Sequence, residues 1–370
     1  MRLALAQARR VSGRTFPNPP VGAVVYRGDR VLGRGATGPV GGAHAEIVAM
    51  ERATAKHGAR ALRGASFAVT LEPCAHVGRT GPCAERVARA GFARVAVGHV
   101  DPHPKVGGRG VRRVRRSGAR VDVGVLEAEC REQHRGFLSV VNRRRPFVGV
   151  KLASTLDGRI ATSRGESRWI TGPEARAAVH RLRARVDALV VGSATVLADD
   201  PRLTVRRGGR LVHRPIRVVV DAQLRVPPTA RLFAGDPHSA WVLCGARAPA
   251  SRRRALEGRG ARVLPVASRG GHLDLRAALR CLAKEGLSEL LVEGGGGLAA
   301  ALLRAGLIDE FHWFVAPRLI GADGLPALGA LGLSRLARAP ELEELRVRRV
   351  GRDLHVVGRP VVARARGRVR

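Results

Sequence analysis

Apolar and polar positions along the chain fall into alternating blocks of two different periods. Leu3 to Arg10 is amphipathic and predicts a short helix. VGAVVYRGDRVLGRG, from Val21 to Gly35, reads as two strand halves joined by an RGD turn. A helix is predicted from about His44 to His57, then a strand over Ser66–Pro73, a helix over Cys83–Gly91 and a strand over Arg94–His99. The pattern breaks over Arg131 to Arg145, where NRRRP gives a basic, Pro-ended boundary. A second alternation then begins with a strand over Pro146–Thr155 and a helix over Gly172–Val186. Strands follow at Asp187–Gly192, Ile216–Asp221 and Trp241–Gly245, a helix at Leu275–Gly286, a strand at Glu289–Gly294, a helix at Leu298–Gly306 and a strand at Glu310–Pro317. Alternation of this kind in both halves predicts an α/β fold. No internal repeat is present, and compositional bias is confined to the Arg/Gly/Val stretch from about Gly358 to Arg370.

A chain of 370 residues fits two domains, expected at residues 1–145 and 146–360, with an Arg-rich tail over 361–370. The hydrophobic fraction of 45% is that of a globular protein. No apolar run approaches the roughly 18 residues of a membrane span, so no membrane partner is expected. The opening MRLALAQARR is Arg-rich with no acid before Asp29, as in a targeting peptide, but the first strand follows at once. The expectation is a soluble, cytoplasmic protein. Five cysteines, an odd count, argue against a secreted disulfide framework.

The formal charge of +36 raises the question of a nucleic-acid partner. The basic residues are nearly all scattered arginines, the lysines being Lys56, Lys105, Lys151 and Lys284. One Tyr, three Trp and eight Phe leave little to stack bases on. A compositional drift toward Arg accounts for the charge, and no specific nucleic acid is expected.

His44, Glu46, Cys74 and Cys83 form the first constellation. HAE opens a helix, PC ends the next strand region, and a second Cys starts the following helix after Pro82. One imidazole and two thiolates make a three-ligand site for Zn²⁺ with a fourth position for water. Glu46, two residues from His44, is read as an acid/base over that water and not as a ligand, the zinc deaminase pattern. Taken singly, these would be helix-start polar residues and core cysteines; four in order, each at an element end, favour the metal. Deaminases of free nucleosides or nucleic acid usually separate the two cysteines by two residues. Here eight intervene, AHVGRTGP, carrying His76 and Arg79, and a cationic loop at that place suits a substrate phosphate.

The second constellation runs from Lys151 to Gly297. Lys151 sits at a strand centre in a chain that writes Arg wherever only charge is wanted, which points to a titratable ammonium. LLVE opens into four glycines and then a helix, a geometry that lets backbone N–H groups reach a phosphate, although a plain tight turn would look the same. Trp169 is either a core anchor, the more ordinary role, or a face for a nicotinamide or base.

TFPNPPVGAVV, HAE, LEPCAHVGRTGPC and DPHPKVGGRG together resemble the deaminase half of the bifunctional riboflavin-biosynthesis deaminase–reductase family. KLASTLDGRIAT, GESRWITGPEAR, DALVVGSATVLADDPRLTVR and LLVEGGGGLAAALL resemble its reductase half, so the likeness covers about Leu3 to Asp353. It implies an N-terminal cytidine-deaminase-like three-layer domain and a C-terminal dihydrofolate-reductase-like domain. It implies deamination of 2,5-diamino-6-ribosylamino-4(3H)-pyrimidinone 5′-phosphate, a small phosphorylated pyrimidine, followed by NADPH reduction of the ribosyl chain to ribityl. Carried over by position, it implies NADPH contacts at Ala153, Trp169, Thr195, Asp199, Gly295, Gly296 and Gly297. Substrate contacts are implied at Ser167, Arg183, Leu203, Arg206 and Glu293, the two arginines as a clamp on the sugar phosphate. Lys151 and Glu293 are the candidates to polarise or protonate the opened sugar, and assembly as a homo-oligomer is expected.

The chain departs from the family pattern at Ala36, Thr37, Gly81, His103, Ala222 and Arg318, and none of these is a metal-site residue. Two rival readings remain at this level. One is a tRNA-type zinc deaminase with an appended binding domain, favoured by the charge. The other is a deaminase whose reductase half has decayed into a scaffold, prompted by Ala222.

Overall fold

The computed structural model describes residues 1–75 and 81–361. His76 and Arg79 of the inter-cysteine loop, and the tail beyond Val361, lie outside the described residues. The chain divides into two compact units, Met1–Pro146 with Ala283–Ser288, and Phe147–Leu282 with the chain from Glu289 onward. No helix among the described residues is long and apolar enough to cross a membrane.

The first unit runs α1 (Arg2–Val11), β1 (Gly22–Arg27), β2 (Arg30–Ala36), α2 (Ala45–His57), β3 (Ser66–Val69), α3 (Cys83–Arg89), β4 (Arg94–Val97), α4 (Arg109–Arg115), β5 (Arg120–Val123), α5 (Glu127–Gln133) and α6 (Arg135–Arg143). Its five strands lie in the order β2-β1-β3-β4-β5, antiparallel across β2-β1-β3 and parallel across β3-β4-β5. Alternation along β1 assigns the faces. Ala23 and Val25 join the core made with α2, α3 and α4, while a Cβ on Gly22 would strike the backbone of α1 on the other side. Helices on both faces of one sheet make the three-layer domain.

Within this unit α2 packs directly on the backbone of β2. A Cβ on Gly33 would sit 2.2 Å from the Ala49 carbonyl oxygen, and one on Gly35 would sit 2.1 Å from that of Ala45. Only glycine admits the helix at this depth, and the alanines Ala45, Ala49 and Ala53, all fully buried, complete the contact. The start of α2, and with it His44, is therefore set by two absent side chains on the neighbouring strand.

In the second unit β6 (Phe147–Thr155) is followed by α7 (Pro173–Arg183), β7 (Ala188–Gly192), α8 (Ser193–Asp199), β8 (Ile216–Val220), β9 (Ala240–Gly245), α9 (Ala250–Gly258) and β10 (Arg262–Val266). Then come α10 (Leu275–Lys284), whose last two residues group with the first unit, β11 (Glu289–Glu293), α11 (Gly296–Arg304), β12 (Glu310–Ala316), β13 (Leu342–Val350) and β14 (Asp353–Pro360). The nine strands lie in the order β10-β9-β8-β7-β11-β6-β12-β14-β13, parallel up to β12 and antiparallel beyond it. Central strands such as ALVVG are apolar on both faces, as a covered parallel sheet requires.

The sequence pattern missed α4, β5, α8, α9 and β10, and two longer regions besides. Residues 127–143 form α5 and α6 where the polar composition reads as a break, because few buried positions, among them Cys130, Leu138 and Ser139, anchor them. Residues 342–360 form a hairpin whose outer strand β13 is exposed over most of its length, so its Arg and Glu residues hide the strand period.

Gly35→Ala should lower the unfolding free energy of the first unit by about 3 kcal/mol through forced displacement of α2. Gly258→Ala, where a Cβ would meet nothing within 4 Å, should be neutral. Thermal unfolding followed by circular dichroism checks both, and equal stability of the two variants would contradict the packing described.

Candidate functional site

Three elements bring the first constellation together. His44 caps the N-terminus of α2 in extended conformation, Cys74 lies five residues beyond the end of β3, and Cys83 opens α3. His44 Nδ1 is 3.2 Å from Cys83 Sγ and 3.7 Å from Cys74 Sγ, and one donor atom from each of the three residues lies within 4.8 Å of the others. A tetrahedral zinc with ordinary bond lengths would hold N and S about 3.6 Å apart, so these donors fit one ion. The Cys83 amide donates to Cys74 Sγ at 3.3 Å, and the Ala84 amide to the Cys74 carbonyl at 3.1 Å, which ties the two cysteines across the intervening loop.

The electrostatics of this set also call for a cation. A hydrogen bond from Cys83, and the neighbouring His44 ring, hold the Cys74 thiol well below its ordinary value. The same contact, together with burial, pushes the Cys83 thiol up. The pair gives up one proton readily and the second only against added positive charge. A divalent, thiolate-binding ion supplies that charge. Glu46 is 4% exposed, and burial, followed by the charge of Cys74, pushes its carboxyl up to about 7. Glu46 lies in the first turn of α2, two residues after the ligand His44, and is buried beside the donor set.

In the second unit Lys151 of β6 is the register partner of Glu293 at the end of β11. Arg183 of α7 grips both Glu293 oxygens, Nε to Oε1 at 2.6 Å and the terminal nitrogen to Oε2 at 2.7 Å, and donates to the Thr204 carbonyl at 3.0 Å. Burial works to raise the Glu293 carboxyl, but the Arg183 charge and its hydrogen bonds leave it below its ordinary value. Burial pulls the Lys151 ammonium down, and Glu293 partly opposes this. Arg206 donates its amide to His180 Nδ1 at 3.2 Å and its side chain to Thr204 and the Gly209 carbonyl. Leu203, buried with φ of 47°, leads directly into this cluster.

The glycine run follows β11, and α8 follows the adjacent β7. Gly294 and Gly295 have φ of 77° and 81°, and a Cβ on either would lie 3.1 Å from Thr195. At Gly297 a Cβ would meet nothing within 4 Å, whereas one on Gly296 would lie 3.0 Å from the Ala327 carbonyl oxygen, so the start of α11 is open on the Gly297 side and packed on the other. Crowded glycines next to an open helix start fit a dinucleotide phosphate. Asp199, at the other end of α8, receives a bond on its carbonyl from Arg168 at 2.9 Å. Trp169 is 62% exposed, which rules out the core-anchor reading; the Arg176 guanidinium stacks 4.6 Å from its ring centre. Both border a cleft of about 580 Å³ lined also by Arg168, Arg318 and Arg352. Ala153 lies two residues from Lys151 on the same face of β6, and Ser167 sits half-buried two residues before Trp169. His180, Thr204 and Arg176 escaped the sequence reading, although the three-residue spacing of His180 and Arg183 on one helix was a usable signal.

Residues 1–99 match the family described as the cytidine and deoxycytidylate deaminase zinc-binding region, and residues 146–356 match the RibD C-terminal domain. The riboflavin biosynthesis protein RibD of Escherichia coli (strain K12) is 40% identical over 371 residues, spanning 97% of this chain and 98% of that protein. The protein of the same name from Aquifex aeolicus is 36% identical, with 96% of each covered. The solved structure of Acinetobacter baumannii RibD superposes with a TM-score of 0.85 at 34% identity over 97% of both chains. A diaminohydroxyphosphoribosylaminopyrimidine deaminase/5-amino-6-(5-phosphoribosylamino)uracil reductase from Thermotoga maritima does so with 0.83 at 34% identity, again over 97% of both.

Purified protein should carry close to one zinc per chain. Cys74→Ala should reduce this by more than about tenfold, whereas Cys130→Ala, which removes a buried cysteine outside the donor set, should leave it unchanged. Elemental analysis after gel filtration decides, and equal zinc in the two variants would refute the site.

Proposed function

Because this chain belongs to the RibD family of riboflavin-biosynthesis deaminase–reductases, we propose that its two units perform the two reactions with the residues set out above. The protein is a bifunctional enzyme, a deaminase and a reductase of riboflavin biosynthesis. The first reaction is assigned to 2,5-diamino-6-ribosylamino-4(3H)-pyrimidinone 5′-phosphate and the second to its deaminated product, with NADPH as the reductant. The observation that supports this most is the meeting of His44, Cys74 and Cys83 beside a buried carboxyl.

His44 Nδ1 and the two cysteine sulfurs would hold zinc, which supplies Lewis acidity toward water near neutral pH. Glu46, with a carboxyl that titrates at about 7, can both take and return a proton at that pH. It accepts one proton from the attacking water and passes it to the adjacent ring nitrogen, then takes the remaining hydroxyl proton of the adduct and gives it to the departing amino group. A C–O bond forms, the C–N bond breaks and ammonia leaves.

In the second unit NADPH, when bound, would supply the hydride for the opened sugar. Thr195, Asp199, Trp169 and the start of α11 at Gly295–Gly297 would hold it, and Ala153 would line the floor between cofactor and Lys151. The sugar oxygen needs one proton. Glu293 is a poor source, since Arg183 keeps it ionised. Lys151, pulled toward neutrality by burial, is the better donor, and Glu293 serves to keep it protonated. Arg206 faces no carboxylate among the described residues and retains its charge for the substrate phosphate, with Ser167 and Leu203 shaping the same site.

Glu46→Gln should lower ammonia release by about 10³-fold while leaving NADPH oxidation on the deaminated intermediate intact. Survival of both activities would remove Glu46 from its role. Glu293→Gln removes the negative charge that raises Lys151, so the alkaline limb of reductase kcat should move to lower pH. NADPH oxidation measured across pH checks the sign; an unmoved limb would exclude Lys151 as the proton donor.

A further inference from the structure

Glu72 carries a carboxylate that neither reaction uses. It is 3% exposed, two residues before Cys74, and it is held entirely by backbone donors. Oε2 accepts from the amides of Asp101 and Gly108, each at 3.0 Å, and Oε1 accepts from Val111 at 2.9 Å. Its own amide donates to the His99 carbonyl at 3.0 Å. The segment from Asp101 to Val111 is thus gathered around one carboxylate. That segment also presses directly on the strap leading to the metal site, since a Cβ on Gly110 would lie 2.0 Å from the Pro73 carbonyl oxygen. On its other side Cys74 is fixed by the amides of Cys83 and Ala84. Cys74 therefore has two anchors, one from α3 and one that runs through Pro73 to Glu72.

We propose that Glu72 is a positioning residue for the metal ligand Cys74, acting by clamping the 101–111 segment against Pro73. The physical reason is geometric. Cys74 lies outside any strand or helix, so no ladder fixes its sulfur. A buried carboxylate that accepts three N–H groups converts a loop into a rigid backing; outer-shell groups that hydrogen-bond a ligand directly change metal affinity by about 10- to 100-fold, which sets the upper scale for one acting through Pro73. The inference rests on the zinc reading of His44, Cys74 and Cys83.

The test uses the full-length protein loaded with zinc, and separately with cobalt. Glu72→Gln keeps the size of the side chain and replaces one acceptor by a donor that faces N–H groups. Gly110→Ala disturbs the same junction from the opposite side. Both should speed zinc transfer to a chromogenic chelator by about tenfold and alter the thiolate-to-cobalt absorption bands, with NADPH oxidation unchanged. Val95→Ala, a core truncation on β4 in register with Phe67, provides a variant of reduced stability at a position that makes none of the hydrogen bonds to Glu72. The proposal is overturned if Glu72→Gln releases zinc at the wild-type rate with an unaltered cobalt spectrum. It is equally overturned if Val95→Ala gives the same acceleration and the same spectral change. A wild-type chain that takes up neither metal would instead sink the zinc reading itself.

Discussion

Two thiols and an imidazole nitrogen crowd within hydrogen-bonding range of one another, and the first unit is arranged to make that crowding possible. His44 arrives on a helix that can approach only because Gly33 and Gly35 carry no side chains. Cys83 arrives on a second helix whose first amides reach back to Cys74. Three elements must therefore dock correctly before any ligand set exists. The pair of sulfurs cannot lose both protons cheaply by themselves, so a divalent cation and the folded unit stabilise one another.

The second unit solves a different problem. Lys151, Glu293 and Arg183 place two cations and one carboxylate in a mostly buried setting. Removing these charges from water costs several kcal/mol each unless they are paired with good geometry. The bidentate grip of Arg183 on Glu293 provides that geometry, and Lys151 is left with the weaker share of the same carboxylate. Burial makes an ammonium in that position release its proton more readily than one in water. The glycines after β11 and the short helix after β7 then present backbone and Thr195 from neighbouring parallel strands, where ligands of such sheets commonly bind.

Part of the excess of arginine, which in the sequence raises the question of a polyanion, is used locally. Arg183 and Arg113 pair with buried or half-buried carboxylates, and Arg217 is fully buried with its guanidinium on the Leu232 and Ala234 carbonyls. Arg176 lies over Trp169, which the composition alone would assign to the core. Where the chain is densest in Arg, the helices 109–115 and 135–143 were the hardest to read, because the polar residues mask the few apolar contacts that hold them.

The order of His44, Glu46, Cys74 and Cys83 was readable before any folding, since a metal needs particular donor atoms and few residue types carry them. The same holds for the alternation of strands and helices and for Lys151 as an exception to arginine usage. Their arrangement was not readable. Arg183 and Glu293 are 110 residues apart, and nothing in their local sequence says that they meet. Lys151 finds Glu293 only through the parallel register of β6 and β11, and Glu72 finds its three amides only because the 101–111 segment folds back over Pro73. Residue type is a local property, whereas pairing, burial and the resulting proton affinities belong to chain segments that only tertiary packing brings together.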